Sequence, residues 1–439
     1  MKIVIKIFTA IIGFVVLVVG LMFAFKACPP QGPWMMPPWC EDKTFERPVY
    51  DIDVKTQVLS QTKAVNMADT WGRNYNFSMI ENTRNNIESS FDRVKELGAE
   101  EVYVHDFNRA VYNHKEEDFA SLDYEIVDEI FANDLRDESM TEKDIKKLAK
   151  AAHERGLKLG IKQNMAFVDI GKYIKEGLTG EIQGGVEEDY VAFNSEHSEE
   201  WIRDYFKKWE ARLLERGKLY EKYGVDIISI TPNWMGPTFI GQEALANDLQ
   251  KELIAKLRGV FSGEIHTEID FWGVIHEGRT DREDWRKYDY YKDADIQEVR
   301  VYQLVDNFAV VDGASTAQIK VGIDRLLDRF EQYAEKNEIK MSVFFSPSSY
   351  PNAINVGAAE FHDIRNADVA AIQKDWDHQA DAWQAFFEAV SQRQLIDRVN
   401  VSAMWWDNAM DPDVKVRISI SPSVRNKPAE EIIKQWFNQ

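Results

Sequence analysis

The sequence predicts an α/β protein, a (β/α)8 TIM barrel preceded by a single N-terminal transmembrane helix. From about residue 60, short apolar β-branched runs alternate with amphipathic helical runs, about eight times over. No internal hairpin signal breaks the alternation, which points to a parallel barrel rather than an open sheet. Residues 7–25 carry no charge and are long enough to cross a bilayer core of ~30 Å at ~1.5 Å per residue. The expected organisation is a signal anchor over 1–27, a Pro-rich collar and linker over 28–59, and the barrel over 60–439.

A cleaved signal peptide has a shorter apolar region, of about 7–15 residues, so the run reads as an uncleaved anchor. Lys2 and Lys6 precede it, and only Lys26 follows closely. The positive-inside rule then places the N-terminus in the cytoplasm and the barrel outside, periplasmic or extracellular. Cys28 raises a lipoprotein reading, but Phe25-Lys26-Ala27 puts a charge where small or apolar residues are expected. The only two cysteines, Cys28 and Cys40, bracket CPPQGPWMMPPWC. Outside the cell they favour a small disulfide loop over two unrelated thiols. The prolines stiffen this collar.

The first strand is KAVNM, 63–67, with a loop over 68–78. Helical periodicity over 83–97 puts Ile87, Phe91, Val94 and Leu97 on one face, and Gly98 closes that helix. EVYVHDF, 101–107, is the second strand, and a long loop follows. A helix over 141–155 has Thr141 as N-cap and ends at Gly156, before the third strand at 157–163. A long charged helix over 198–223 leads into the fourth strand, 225–231. A helix at 242–260 and the fifth strand, EIHTEIDF at 264–271, come next. The sixth strand is 299–305, the next helix 317–336, and the seventh strand KMSVFFS, 340–346. A helix over 376–393, the eighth strand VNVSAMWW at 399–406 and a helix over 429–437 complete the chain. A doubly wound sheet is the main rival, but no Gly-rich phosphate fingerprint follows the first strand.

The 439 residues carry a formal net charge of −21, with 44% hydrophobic and 29% charged residues. That balance is globular, and it argues against nucleic acid and against broad adhesion to anionic lipid. The 13 Trp and 16 Tyr are more informative, since aromatic faces stack on sugar rings.

Several stretches resemble one family. KAVNMADTWG is similar to the first strand of the clan A glycoside hydrolases, nearest to β-mannanase-like barrels, and KELGAEEVYV to their next unit. KAAHERGLKLGIK resembles their helix-to-third-strand joint. WDHQADAWQAFFEAV followed by VNVSAMWWDN resembles the close of their barrel. The likeness spans roughly residues 60–410 and rests on the order and spacing of these pieces. It implies hydrolysis by two glutamates, an acid/base after an Asn at the end of the fourth strand and a nucleophile ending the seventh. Retention needs these carboxyls about 5–5.5 Å apart. Here the fourth strand ends Thr231-Pro232-Asn233-Trp234 and the seventh Phe345-Ser346-Pro347-Ser348. Neither offers a carboxylate, and Glu243 lies too far along to fill the first role easily.

In a barrel, function gathers at the C-terminal strand ends. Glu268 and Asp270 share strand parity on the fifth strand, so both can face the lumen and divide acid and base roles. The bland reading of Glu268 is a lumen carboxylate paired with Lys162 or His105. Asp106, Asp306 and Asp407 are alternative partners, each as suited to orienting a sugar hydroxyl. The catalytic candidates are therefore Glu268, Asp270 and Asp407. The substrate-binding candidates are Trp71, His105, Asp106, Gln163, Asn233, Trp234, Trp272, Asp306 and Trp406. The four tryptophans are stacking candidates, although each one singly is more often packing. His105, His266 and Glu268 lack compact ligand spacing, so neither metal nor cofactor is expected. Ser346-Pro347 is a poor nucleophile elbow. Asn76-Phe77-Ser78 matches a glycosylation sequon.

The expectation is a membrane-anchored glycoside hydrolase-like protein acting on an extracellular polysaccharide or glycan. The other readings are a carbohydrate-binding protein that lost catalysis, and an extracellular scaffold with no sugar contact.

Overall fold

The structure is a computed structural model that describes residues 47–52, 54–67, 83–112, 121–132, 135–169, 197–231, 237, 239–270, 287–356, 373–406 and 420–439. Eight parallel strands close a barrel: β1 (Thr62–Met67), β2 (Glu101–Tyr112), β6 (Lys158–Asp169), β7 (Ile227–Ser229), β8 (Glu264–Asp270), β9 (Ile296–Val301), β10 (Met341–Phe345) and β11 (Ile396–Met404). Each pairs with the next, and β1 pairs with both β2 and β11, so no barrel edge is left open.

The helices that cover it are α1 (Ile87–Glu96), α2 (Glu142–His153), α3 (Glu199–Tyr223), α4 (Glu243–Arg258), α5 (Thr316–Asn337), α6 (Ala353–Val356), α7 (Trp376–Val390) and α8 (Pro428–Phe437). Local chemistry sets their ends. Thr141 closes a capping box with Asp144 at the start of α2. Ser198 accepts from the Trp201 amide at the start of α3. Gly224, at φ 72°, takes the left-handed turn that ends α3 without a Cβ clash. Along α3, Trp201, Tyr205, Trp209, Leu213 and Tyr220 recur at helical spacing and are all buried against the barrel.

The parallel frame is as expected, but two features correct the sequence reading. Strands β2 and β6 do not stop at 107 and 163. They stay in unbroken register from Glu101↔Lys158 to Tyr112↔Asp169. One polar set inside this run bonds across the pair: Asn108 Nδ2 donates to Gln163 Oε1 at 3.2 Å and to the Asn164 carbonyl at 3.0 Å. The loop after the second strand holds three short strands. Of these, β3 (Tyr124–Val127) pairs antiparallel with the top of β2, and β4 (Glu129–Ala132) pairs antiparallel with β5 (Leu135–Glu138). Asn133 and Asp134 separate β4 from β5, and both are tight-turn residues, a hairpin signal the periodicity reading passed over.

Among the described residues, no helix is long and apolar enough to cross a membrane. The expected anchor, the collar and the Cys28–Cys40 pair fall in residues 1–46, outside the described residues.

Candidate functional site

Side chains on non-adjacent strands can meet only through the lumen, and such contacts identify what lines it. At the N-terminal end, Arg398 of β11 pairs with Glu101 of β2 at 2.8 Å and with Glu264 of β8 at 3.1 Å. Arg398 also reaches His266 Nε2 at 3.0 Å. Burial pushes the Glu101 carboxyl up despite Arg398. His266 and Arg398 hold Glu264 below the usual carboxylate range. His266 itself is lowered to about 4 by burial. Two guanidinium–carboxylate pairs and a neutral imidazole thus form an ionic floor.

Above the floor, Lys162 of β6 reaches two carboxylates. Its ammonium contacts Glu298 Oε1 on β9 and stands 3.3 Å from Glu268 Oε1 on β8. Asn400 Nδ2 donates to Glu298 Oε2 at 2.9 Å, and the Ser229 hydroxyl donates to Glu268 Oε1 at 2.7 Å. Arg300 Nη1 lies 3.8 Å from Glu268 Oε2. Among the described residues, two cations and two anions meet here, all nearly excluded from solvent. Burial would raise the Glu268 carboxyl, but Lys162, Arg300 and the Ser229 hydroxyl outweigh it and hold it at about 2.

At the C-terminal mouth, His105 sits between two asparagines. Asn164 Nδ2 lies 2.8 Å from its Nδ1, and Asn66 Oδ1 lies 3.1 Å from its Nε2. Burial, then Lys162, lowers this imidazole to about 3. Asn66 Nδ2 also lies 2.9 Å from the same Nε2, so the Asn66 amide offers this nitrogen both a donor and an acceptor.

The expected site residues separate clearly. His105 and Glu268 face the lumen. Asp106 and Gln163 have the opposite parity and point into the helix layer, which corrects their expected place at the cleft. The Asp106 carboxylate accepts from the Met140 amide at 2.7 Å and from the Tyr220 hydroxyl at 3.1 Å. Gln163 Nε2 donates to that hydroxyl at 2.6 Å. Asp306 is exposed at the start of a short 3-10 turn beyond β9, with φ 51°. The backbone of Asp270 pairs in register with Arg300. Trp71, Asn233, Trp234, Trp272 and Asp407 lie outside the described residues.

Trp406 is a further correction. It is buried in the core, its ring 5.9 Å from Phe91 of α1. The cause is a register slip. Asn66 pairs with Ser402 but Met67 with Met404, so β11 carries one extra residue and its parity flips. Trp405 takes the other side, partly exposed at the end of β11, with Nε1 3.5 Å from Ser421 Oγ.

The sequence reading missed Glu298 because it began the sixth strand at Val299, three residues late, and passed over Arg300 inside the strand it drew. IQEVRV places both on the face opposite the apolar Val299 and Val301, a signal that was readable. It also missed Lys427, which is fully buried at the start of α8. Its Nζ lies 2.8 Å from Ser349 Oγ and 2.9 Å from the Ser421 carbonyl, and burial drives its pKa well below the ordinary lysine value.

An ionised Glu268 cannot act as a proton donor near neutral pH. It can stabilise a developing cation or attack a carbon.

Among solved structures, the chain is similar to a GH113 β-1,4-mannanase complex at 14% identity, covering 88% of this chain and 100% of that one, with a TM-score of 0.56. A second GH113 β-1,4-mannanase matches at 15% identity over 86% and 99%, with a TM-score of 0.56. The GH113 β-mannanase of Alicyclobacillus acidocaldarius matches at 13% identity over 87% and 98%, with a TM-score of 0.55. The shared feature is the barrel fold. No protein-family model and no curated protein matches the chain.

Proposed function

We propose that this chain is a glycoside hydrolase-like protein that takes a polysaccharide or glycan at the C-terminal mouth of its barrel. The carrying observation is the buried Glu268 carboxylate, held by Lys162, Arg300 and the Ser229 hydroxyl inside a barrel of mannanase-like fold. Hydrolysis would run through an oxocarbenium-like transition state, with Glu268 as the charge stabiliser or nucleophile. Asp270 or Asp407 would supply the proton to the leaving oxygen. His105 and the partly exposed Trp405 would hold the sugar. Residues 7–25 would anchor the protein, with the barrel outside the cytoplasm, as the Lys2 and Lys6 bias supports.

A second reading is binding without turnover. It is favoured by Ser346-Pro347-Ser348 after β10 and by the ion pairing of Glu268 with Lys162 and Arg300. One experiment separates the two. Full-length protein is assayed against a glycan panel for both binding and reducing-sugar release, alongside E268Q, D270N and D407N. Hydrolysis predicts release that falls by roughly a hundred- to ten-thousandfold in E268Q and in one aspartate variant. Binding with no release supports the second reading. Neither binding nor release would end both. Protease protection in intact cells tests the anchored topology.

A further inference from the structure

We propose that Lys162 is a positioning residue. From the third barrel strand it fixes the charge and direction of the Glu268 carboxylate, and Glu298 in turn fixes Lys162. This deepens the proposed function and rests on it for its catalytic meaning.

The two carboxylates that share Lys162 are held differently. Glu298 is tied at both oxygens: Oε1 takes the ammonium, and Oε2 accepts from Asn400 Nδ2 at 2.9 Å and from Ser342 Oγ at 3.4 Å. Glu268 is tied at one. Its Oε1 accepts from Ser229 Oγ at 2.7 Å and faces Lys162 at 3.3 Å. Its Oε2 has only Arg300, at 3.8 Å, beyond hydrogen-bond distance, as its partner among the described residues. Saturated Glu298 thus serves as a strut. Glu268 keeps one oxygen in reserve, on the residue one turn of the strand pleat below the mouth.

The surroundings hold the ammonium in place. The Tyr103 and Phe344 rings lie 5.4 Å and 4.8 Å from Lys162 Nζ and close off water around it. The Glu268 amide donates to Thr231 Oγ1 at 3.0 Å, which fixes β8 against the end of the fourth barrel strand. The groups that face the carboxylate from each neighbouring strand are Lys162 on β6, Ser229 on β7, Arg300 and Glu298 on β9, and His105 on β2. His105 is neutral, so Lys162 is the nearest charge that answers Glu268.

The test is a carboxyl-carbon NMR titration of the full-length protein in detergent micelles, with glutamate labelled and the Glu268 signal assigned by E268Q. Lys162→Met should raise the Glu268 midpoint by one pH unit or more, and Lys162→Arg should restore most of it. Glu298→Gln, which frees the strut but keeps its shape, should shift the midpoint by less. On a glycan that the protein cleaves, the acid limb of kcat/KM should move with the midpoint while KM stays nearly constant. A midpoint unmoved in folded Lys162→Met overturns the proposal. If Lys162→Met does not fold, Lys162→Gln is read in its place, and an unmoved midpoint in that folded variant overturns the proposal instead. No glycan turnover by the wild-type protein would defeat the hydrolytic reading alone, since the titration is read without substrate.

Discussion

Lys162 Nζ stands 3.3 Å from Glu268 Oε1 across the lumen, over the intervening strand β7, while the same ammonium contacts Glu298. One buried cation therefore serves two anions. Removing it strands both, and removing one anion changes the balance for the other. Lys162→Met should cost roughly 3–5 kcal/mol of unfolding free energy, the range for breaking a buried ion pair from one side. Adding Glu298→Gln to that variant should recover part of the loss. Urea unfolding of the two single variants and the double variant measures the coupling. Simple additivity would show that the pair is not shared.

Acid should unfold the protein in two stages. His105 and His266 have an ordinary value of 6.5 and are lowered to about 3 and about 4 in the fold. Each stays neutral when folded while the unfolded chain takes up a proton. Their stabilisation is complete above pH 6.5 and is lost as pH falls towards those lower values. For His266 the loss is on the order of 3 kcal/mol. Glu268, ordinarily at 4.5 and held at about 2, adds stability present above 4.5 and lost below it. Melting temperature measured from pH 8 to 3 should decline from about 6.5 and steepen under 4.5. A flat profile down to pH 5 would contradict the buried neutral histidines.

Lys427 predicts the opposite limb. Its amine is buried and lowered well below 10.5, so the unfolded chain binds a proton that the fold does not. Stability should then rise with pH through the alkaline range, by at most about 1.4 kcal/mol per pH unit. Urea midpoints at pH 7.5 and 9.5 read this rise, and Lys427→Met should abolish it. An equal rise in that variant would assign the effect elsewhere.

The two tryptophans that end β11 should behave differently. Trp406→Ala opens a cavity against Phe91 and should cost about 3–5 kcal/mol. Trp405→Ala should cost far less stability and should weaken glycan binding instead. Chemical unfolding together with the glycan panel checks both. The reverse pattern would mean that the parity flip in β11 has been misassigned.

Much of the fold is legible without coordinates. The eight alternations, the Thr141 cap and the Gly98 and Gly156 stops are local signals, carried by residues within a turn of one another. The extension of β2 and β6 was not legible, because HDFNRAVY and KQNMAFVD look too polar for strand interior until they are laid side by side. Glu298 was within reach of the sequence pattern and was lost only to a boundary placed at Val299.

Local pattern therefore settled the parallel barrel, its strand order and the presence of carboxylates on the fifth strand. Closure of the barrel settled everything that depends on which strands face each other. Lys162 meets Glu298 from three strands away, and no spacing along the chain encodes that distance. The slip opposite Asn66 turns Trp406 outward and leaves Trp405 at the mouth, because strand parity has a period of two and one extra residue reverses it. Side-chain identity is written residue by residue, whereas the direction of a side chain in a barrel is fixed by register, a property of pairs of strands.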